Sequence, residues 1–378
     1  MRKSITLYAV ALAFTLGLTA CGSTVPGSAS SVENVASVVE RGLEDTAETA
    51  EELASAASDV DPDREPTETS DSLVIYSGRS ESLVGPLIEQ FEIETGLDVE
   101  VRYGGTAEMA ATILEEGDNS PADLFYGQDA GALGELARAG RFVPLPDEVL
   151  DQVGDARFRS PAGLWVGTSG RARTVVYNTE NVSETDLPVD IFGFCDTHWQ
   201  GRIGWAPTNG SFQAFITALR VIEGEARAKA WLECIIANDP QVYPKNTPIV
   251  EATGRGEIDV GFVNHYYLFR FLSEDPDFPA RNYHLPAGDA GAMVNVAGAG
   301  ILNTAANPTA AETFIRYMLS ETGQTYFNTE TNEYPLSANI ELNALLVPLE
   351  QIETPNIDLS NLDDLDGTLQ LLQAVGAL

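Results

Sequence analysis

From residue 72 onward the chain alternates apolar runs of strand length with segments of helical spacing, and this constrains its fold more than any other feature. Ser72-Leu-Val-Ile-Tyr76 reads as a buried strand, Ser77-Gly78-Arg79-Ser80 as a turn, and Leu83, Leu87, Ile88 and Phe91 as one helical face stopped by Gly96. Val99, Val101 and Tyr103 alternate as a second strand, residues 107–116 read as a helix, and Leu124-Phe125-Tyr126 as a third strand. The pattern resumes with strands over 173–177 and 258–263 and helices over 212–222, 310–319 and 323–327. Strands alternating with helices predict a mostly parallel sheet covered by helices. A chain of 378 residues accommodates two such α/β lobes with a cleft between them. In sheets of this kind ligands sit beyond the strand carboxyl ends, often against helix N-termini.

The first 71 residues belong to no such core. Arg2 and Lys3 precede an uncharged apolar run over 7–18, shorter than the about 20 residues a membrane span needs. Leu18-Thr19-Ala20-Cys21 follows and resembles a bacterial lipobox, so residues 1–21 read as a lipoprotein signal peptide with Cys21 as the lipidation site. Residues 22–71 carry thirteen acids against Arg41 and Arg64 and no aromatic residue, which predicts a solvated acidic tether. Val32, Val35, Val39, Leu43, Ala50 and Leu53 lie near helical spacing, and a helical stalk stays open. The expectation is an exported, extracytoplasmic protein held at the membrane by its lipid.

The formal net charge of −36 repels phosphate backbones and argues against a nucleic-acid partner. Ser169-Gly170 lacks the flanking glycines of a nucleophile elbow, and no Walker A loop occurs, so no enzyme is expected. Cys195 and Cys234 are the other cysteines. Export permits a disulfide between them, and closing that loop would contribute about 3–4 kcal/mol in the chain-entropy model. His198, His265 and His284 are too scattered to form a zinc site by spacing.

Several segments resemble a known family. They are Leu73-Val-Ile-Tyr-Ser-Gly-Arg-Ser-Glu81, Phe91-Glu-Ile-Glu-Thr-Gly-Leu-Asp-Val99, the stretch from Glu115 to Tyr126, the stretch from Thr168 to Asn178, and Gly261-Phe-Val-Asn-His-Tyr-Tyr267. In order and spacing they are similar to the ferric-iron-binding solute receptors of bacterial ABC importers. The resemblance implies a two-lobed, hinged periplasmic-binding-protein type 2 fold, each lobe a mixed, mostly parallel sheet flanked by helices. It puts residues 72–170 and 297–347 in one lobe and 171–296 and 348–378 in the other. It further implies a monomer that delivers its solute to an ABC permease with its ATPase subunit. Receptors of the same fold for thiamine, phosphonates or other organic solutes, and a sensor or adhesin lipoprotein, are the competing readings.

Tyr266 and Tyr267 carry the chemistry that the resemblance implies. Fe³⁺ favours anionic oxygen, and tyrosinate is an established iron ligand. A phenol with a pKa of about 10 ionises at neutral pH only beside a strong cation, which the metal itself supplies. Neighbouring residues on a straight strand point apart, so both can face one ion only if the backbone turns at Asn264-His265. The pair also reads as cleft-wall aromatics on which a solute stacks. Family members place His and Glu where this chain has Ser80 and Gln128, which remain as cleft contacts. Where another branch has a third Tyr, this chain has Gly210-Ser211-Phe212. The remaining donors are expected from a synergistic carbonate or phosphate. Arg79, Asn246 and Asn264 match anion contacts of the family, and Ser169-Gly170-Arg171 reads as a nest of backbone N–H groups and a hydroxyl for the anion. Arg79 also reads as a surface charge, and Asn246 before Thr247-Pro248 as a helix cap.

Overall fold

The computed structural model describes residues 72–337 and 340–378. The signal peptide, Cys21 and the acidic tether lie outside the described residues.

β1 (Ser72–Ser77), α1 (Glu81–Thr95) and β2 (Asp98–Tyr103) form a parallel βαβ unit. Val84, Leu87, Ile88 and Phe91 bury the inner face of α1. Gly96 ends the helix at φ 75°, returning its N–H to the Glu92 carbonyl, a left-handed cap that glycine adopts without strain. α2 (Thr106–Glu116) leads to β3 (Leu124–Gly127), parallel to β1, and α3 (Ala130–Arg138) follows. α4 (Asp147–Leu150) precedes β4 (Val166–Asn178), thirteen residues buried throughout. β5 (Ile203–Trp205), α5 (Gly210–Glu223), α6 (Glu225–Ala237), β6 (Gln241–Val242), α7 (Asn246–Gly254), β7 (Val260–Asn264), α8 (Tyr267–Glu274) and β8 (Ala280–Tyr283) come next. β9 (Val294–Ile301), α9 (Pro308–Leu319), α10 (Glu321–Thr329), β10 (Tyr334–Pro335) and α11 (Leu365–Ala374) complete the order.

The sheet runs β2-β1-β3-β9-β4-β7-β5-β6. Pairings are parallel at its two ends and antiparallel around β4 and β9. This is the mixed α/β sheet flanked by helices that the family resemblance implied. β4 serves both halves: Val166–Ala172 pairs with β9, whereas Arg173–Asn178 pairs with β7 and β8. The partner changes between Ala172 and Arg173, so residues 168–173 occupy the junction of the two halves. The strand expected only from residue 173 begins at 166. Its first part, Val-Gly-Thr-Ser-Gly-Arg-Ala, carries little apolar signal because neighbouring strands on both sides, not side-chain propensity, hold it extended.

The ten-residue helix α11 packs on α5, while the turn Leu359–Asn361 just before it packs on α3. The C-terminal segment therefore touches both halves, where the sequence reading assigned it to one. Cys195 and Cys234 are joined, with Cα atoms 5.3 Å apart, tying the turn Ile191–Cys195 to α6. Among the described residues no helix is long and apolar enough to cross a membrane.

Candidate metal and anion site

β7 ends at Asn264, and Tyr266 already has helical backbone angles (φ −69°, ψ −21°) as the cap of α8, where Tyr267 is the first residue. The strand-to-helix turn required for neighbouring tyrosines to share one side is therefore present. Their rings stack with centroids 4.3 Å apart and planes inclined by 29°. Tyr266 is 7% exposed, and its hydroxyl is buried without a hydrogen-bond partner. Burial pushes the Tyr266 phenol well above its ordinary value; Tyr267 adds to the rise and Arg171 opposes it. Without a cation this hydroxyl keeps its proton.

His265 fixes the turn. Its Nδ1 accepts the Ala172 N–H at 3.1 Å and its Nε2 meets the Asn332 carbonyl at 2.9 Å, which sets the Nε2–H tautomer. Burial lowers its pKa to about 3, so it is a neutral structural brace between β4, the β7–α8 turn and the segment before β10.

Three buried guanidiniums surround the pair. Arg79, at the end of β1, is wholly buried and pairs through Nη2 with Glu333 Oε1 at 2.7 Å, leaving Nε and Nη1 without partners. Burial weighs most against its charge, but Glu333 together with Tyr126 and Tyr266 holds the guanidinium above its ordinary value. The surface-charge reading of Arg79 is thereby overturned. Arg171 leaves Nε and Nη2 unpartnered. Arg173 donates to the Phe262 carbonyl at 2.9 Å and to Asn264 Oδ1 at 3.4 Å and lies over the rings of Phe212 and Phe215. Burial pulls it down to about 9, with Tyr267 acting against that shift, so it stays charged at neutral pH. Buried guanidinium N–H groups without acceptors are costly. An anion between them would remove that cost.

A small cavity beside Arg171 and Arg173 is also lined by Gln128, Asp129, Ser211, Asn264, Met293 and Asn295; neither tyrosine nor Arg79 lines it. Asn246 approaches it through Ser211: its Nδ2 donates to Ser211 Oγ at 3.0 Å and to Asn209 Oδ1 at 3.3 Å, and its own Oδ1 is left without a donor. Lys245, not Asn246, is the cap of α7, so the capping alternative for Asn246 does not hold.

Other expectations change. Ser169, Gly170 and Arg171 do not form a backbone nest. They lie mid-strand, in register with Ala297, Val296 and Asn295 of β9, and Ser169 and Gly170 also pair with β10. Of that expectation the Ser169 hydroxyl remains, bonded to Glu333, and Arg171 adds its guanidinium. Ser80 is exposed at the N-cap of α1 and lines neither this cavity nor the larger one beside it. Gln128 lines both. The larger cavity, about 290 Å³, lies among α2, α3, α5 and residues Leu362–Leu365. Among the described residues no group of three or more His, Cys, Asp or Glu is placed to hold a metal.

Sequence reading missed Glu333, Arg173 and Asp129. Glu333 lies 254 residues from Arg79, inside Thr-Asn-Glu-Tyr-Pro, which carries no spacing signal. Arg173 was read as the start of a strand; its one cue was a charged residue where an apolar run begins.

The bacterial extracellular solute-binding protein family matches residues 119–358. The major ferric iron-binding protein of Neisseria meningitidis serogroup B is 30% identical over 310 residues, covering 80% of this chain and 92% of that one. Iron-bound HitA of Pseudomonas aeruginosa is 31% identical with a TM-score of 0.76, over 81% of this chain and 99% of that one. The Trichodesmium protein solved with iron and citrate is 28% identical with a TM-score of 0.70, over 81% and 99%. The chain belongs to the bacterial extracellular solute-binding protein family, and its relatives there are ferric-iron-binding receptors of iron uptake.

Proposed function

We propose that this protein captures Fe³⁺ with Tyr266 and Tyr267 as paired phenolates and a synergistic oxyanion, carbonate or phosphate. The observation that carries this reading is a buried, unpartnered phenol stacked on its neighbour, beside guanidinium N–H groups that have no acceptor. The cation displaces the phenol protons; the anion takes the N–H groups of Arg79 and Arg171 and meets the amides of Asn246 and Asn264. Water completes the shell, with Gln128 a cleft contact. The two halves act as lobes that hinge around the junction at Ala172 and Arg173, and ligand holds them shut because it contacts both. The loaded protein, tethered by a lipid on Cys21, then docks on an ABC permease and its ATPase subunit.

The test is metal analysis of protein loaded from ferric citrate with bicarbonate or with phosphate. One iron per chain is expected, falling below a tenth when Tyr266→Phe and Tyr267→Phe are combined. Full occupancy in that variant contradicts the assignment. The 290 Å³ cavity favours a second reading, a receptor for a small organic solute. A tightly bound organic molecule in mass spectra of iron-free, colourless protein would establish it.

A further inference from the structure

We infer that Glu333 is a positioning residue of this site: it neutralises Arg79, selects which of its N–H groups are left for the anion, and so sets how strongly the anion binds. The inference rests on the reading of the cleft as an iron and anion site. Glu333 is wholly buried in the segment between α10 and β10. Its Oε1 holds Arg79 Nη2 at 2.7 Å and its Oε2 accepts the Ser169 hydroxyl, so one carboxylate joins the end of β1, the junction strand β4 and the segment that follows α10. Arg79 and Ser169 are both candidate anion contacts. With Glu333 charged, Arg79 offers hydrogen bonds but no net charge, and the unpaired positive charge falls to Arg171 and Arg173.

The experiment follows the visible colour of purified protein as bicarbonate or phosphate is titrated at fixed iron. Glu333→Gln leaves Arg79 an unpaired cation, and the anion concentration giving half-maximal colour should fall at least threefold. Glu333→Asp keeps the charge and should stay within twofold of wild type. Ser169→Ala frees Glu333 Oε2 from its hydrogen bond, so the carboxylate neutralises Arg79 more fully and the midpoint should move upward, which keeps the test open if Glu333→Gln does not fold. Coloured variants whose midpoints equal that of wild type, or all move in one direction, overturn the role of Glu333. A wild type that never colours would instead refute the iron reading.

A different observation carries a second inference, independent of the solute: the structure assigns the C-terminal segment as a clasp across the mouth of the cleft. Consecutive residues reach opposite halves. Asp363 pairs with Arg138 of α3, and Asp364 pairs with Arg220 of α5 at 2.8 Å. The α5 end is further held by the buried Thr217–Thr368 hydroxyl bond at 2.7 Å. On α3, a Cβ at Gly131 would strike the Leu362 carbonyl and one at Gly134 the Ser360 carbonyl. Glycine weakens a helix relative to alanine, so two glycines here mark a notch shaped for the segment. Neighbouring Cα atoms are about 3.8 Å apart, too short to stretch as the halves part. Opening must break one anchor, and the exposed Arg138 guanidinium, against the mostly buried Arg220, makes α3 the releasing side.

Gly134→Ala strengthens α3 locally while filling the notch. The iron-free variant should be measurably more open by small-angle scattering, and transfer of iron to a competing chelator at least threefold faster. Asp363→Lys should act in the same direction, and combining it with Arg138→Glu should restore wild-type scattering. Unchanged scattering in both single variants overturns the clasp.

Discussion

Tyr266→Phe separates a binding residue from a structural one. The Tyr266 hydroxyl is buried and has no partner, while its ring is stacked on Tyr267. Replacement by Phe keeps the stack and removes an unsatisfied polar group. Leaving such a group buried costs about 1–3 kcal/mol, so the iron-free variant should gain about 1–2 kcal/mol. For a domain of this size, 1 kcal/mol corresponds to roughly 2 °C, and the melting temperature should rise by roughly 2–4 °C. Iron loading should fall at the same time. Thermal melts of iron-free wild type and variant, with metal analysis of the loaded forms, give both signs. A melting temperature lowered by more than about 2 °C would show that the hydroxyl makes a structural bond, and the reasoning would fail.

Replacing both Cys195 and Cys234 by Ala should lower stability by about 3–4 kcal/mol, measured by denaturant titration, and leave metal stoichiometry unchanged. Burial depresses His265 to about 3 and His284 to about 4. Their unfolded forms bind protons that the folded forms refuse, so stability is complete above about pH 6.5 and is lost as pH falls toward those values. His265 alone should cost the iron-free protein about 2 kcal/mol between pH 7 and pH 5, and equal stability at the two pH values would contradict its burial as a neutral brace. Gln128→Glu places a carboxylate at the cavity beside Arg171 and Arg173 and should slow loss of iron to a chelator about tenfold (about 1.4 kcal/mol). Ser80→His, at an exposed cap, should leave that rate unchanged.

The βαβ start of the fold was legible because Leu73, Ile75, Leu87 and Phe91 have the spacings that burial demands. The first part of β4 was not: Gly167, Thr168, Ser169 and Gly170 have weak strand preference, and β9 and β10 hold them extended. That same error turned the Ser169–Arg171 segment into an expected loop nest. The tyrosine pair was legible as a motif, since adjacency survives in the sequence. Its surroundings were not, because Arg79, Ser169 and Glu333 meet only through the return of the chain after α10. Asn246 was ambiguous for a local reason: Thr247-Pro248 begins a helix, and only the contact with Ser211 shows where its amide points.

The central claim is tested most directly by the visible spectrum of iron-loaded protein. Phenolate ligands give a charge-transfer band that colours the wild type, weakened by either single Phe substitution and absent when both tyrosines are replaced. An iron-loaded wild type without that band, or a double variant that retains it, would show that these oxygens do not hold the metal.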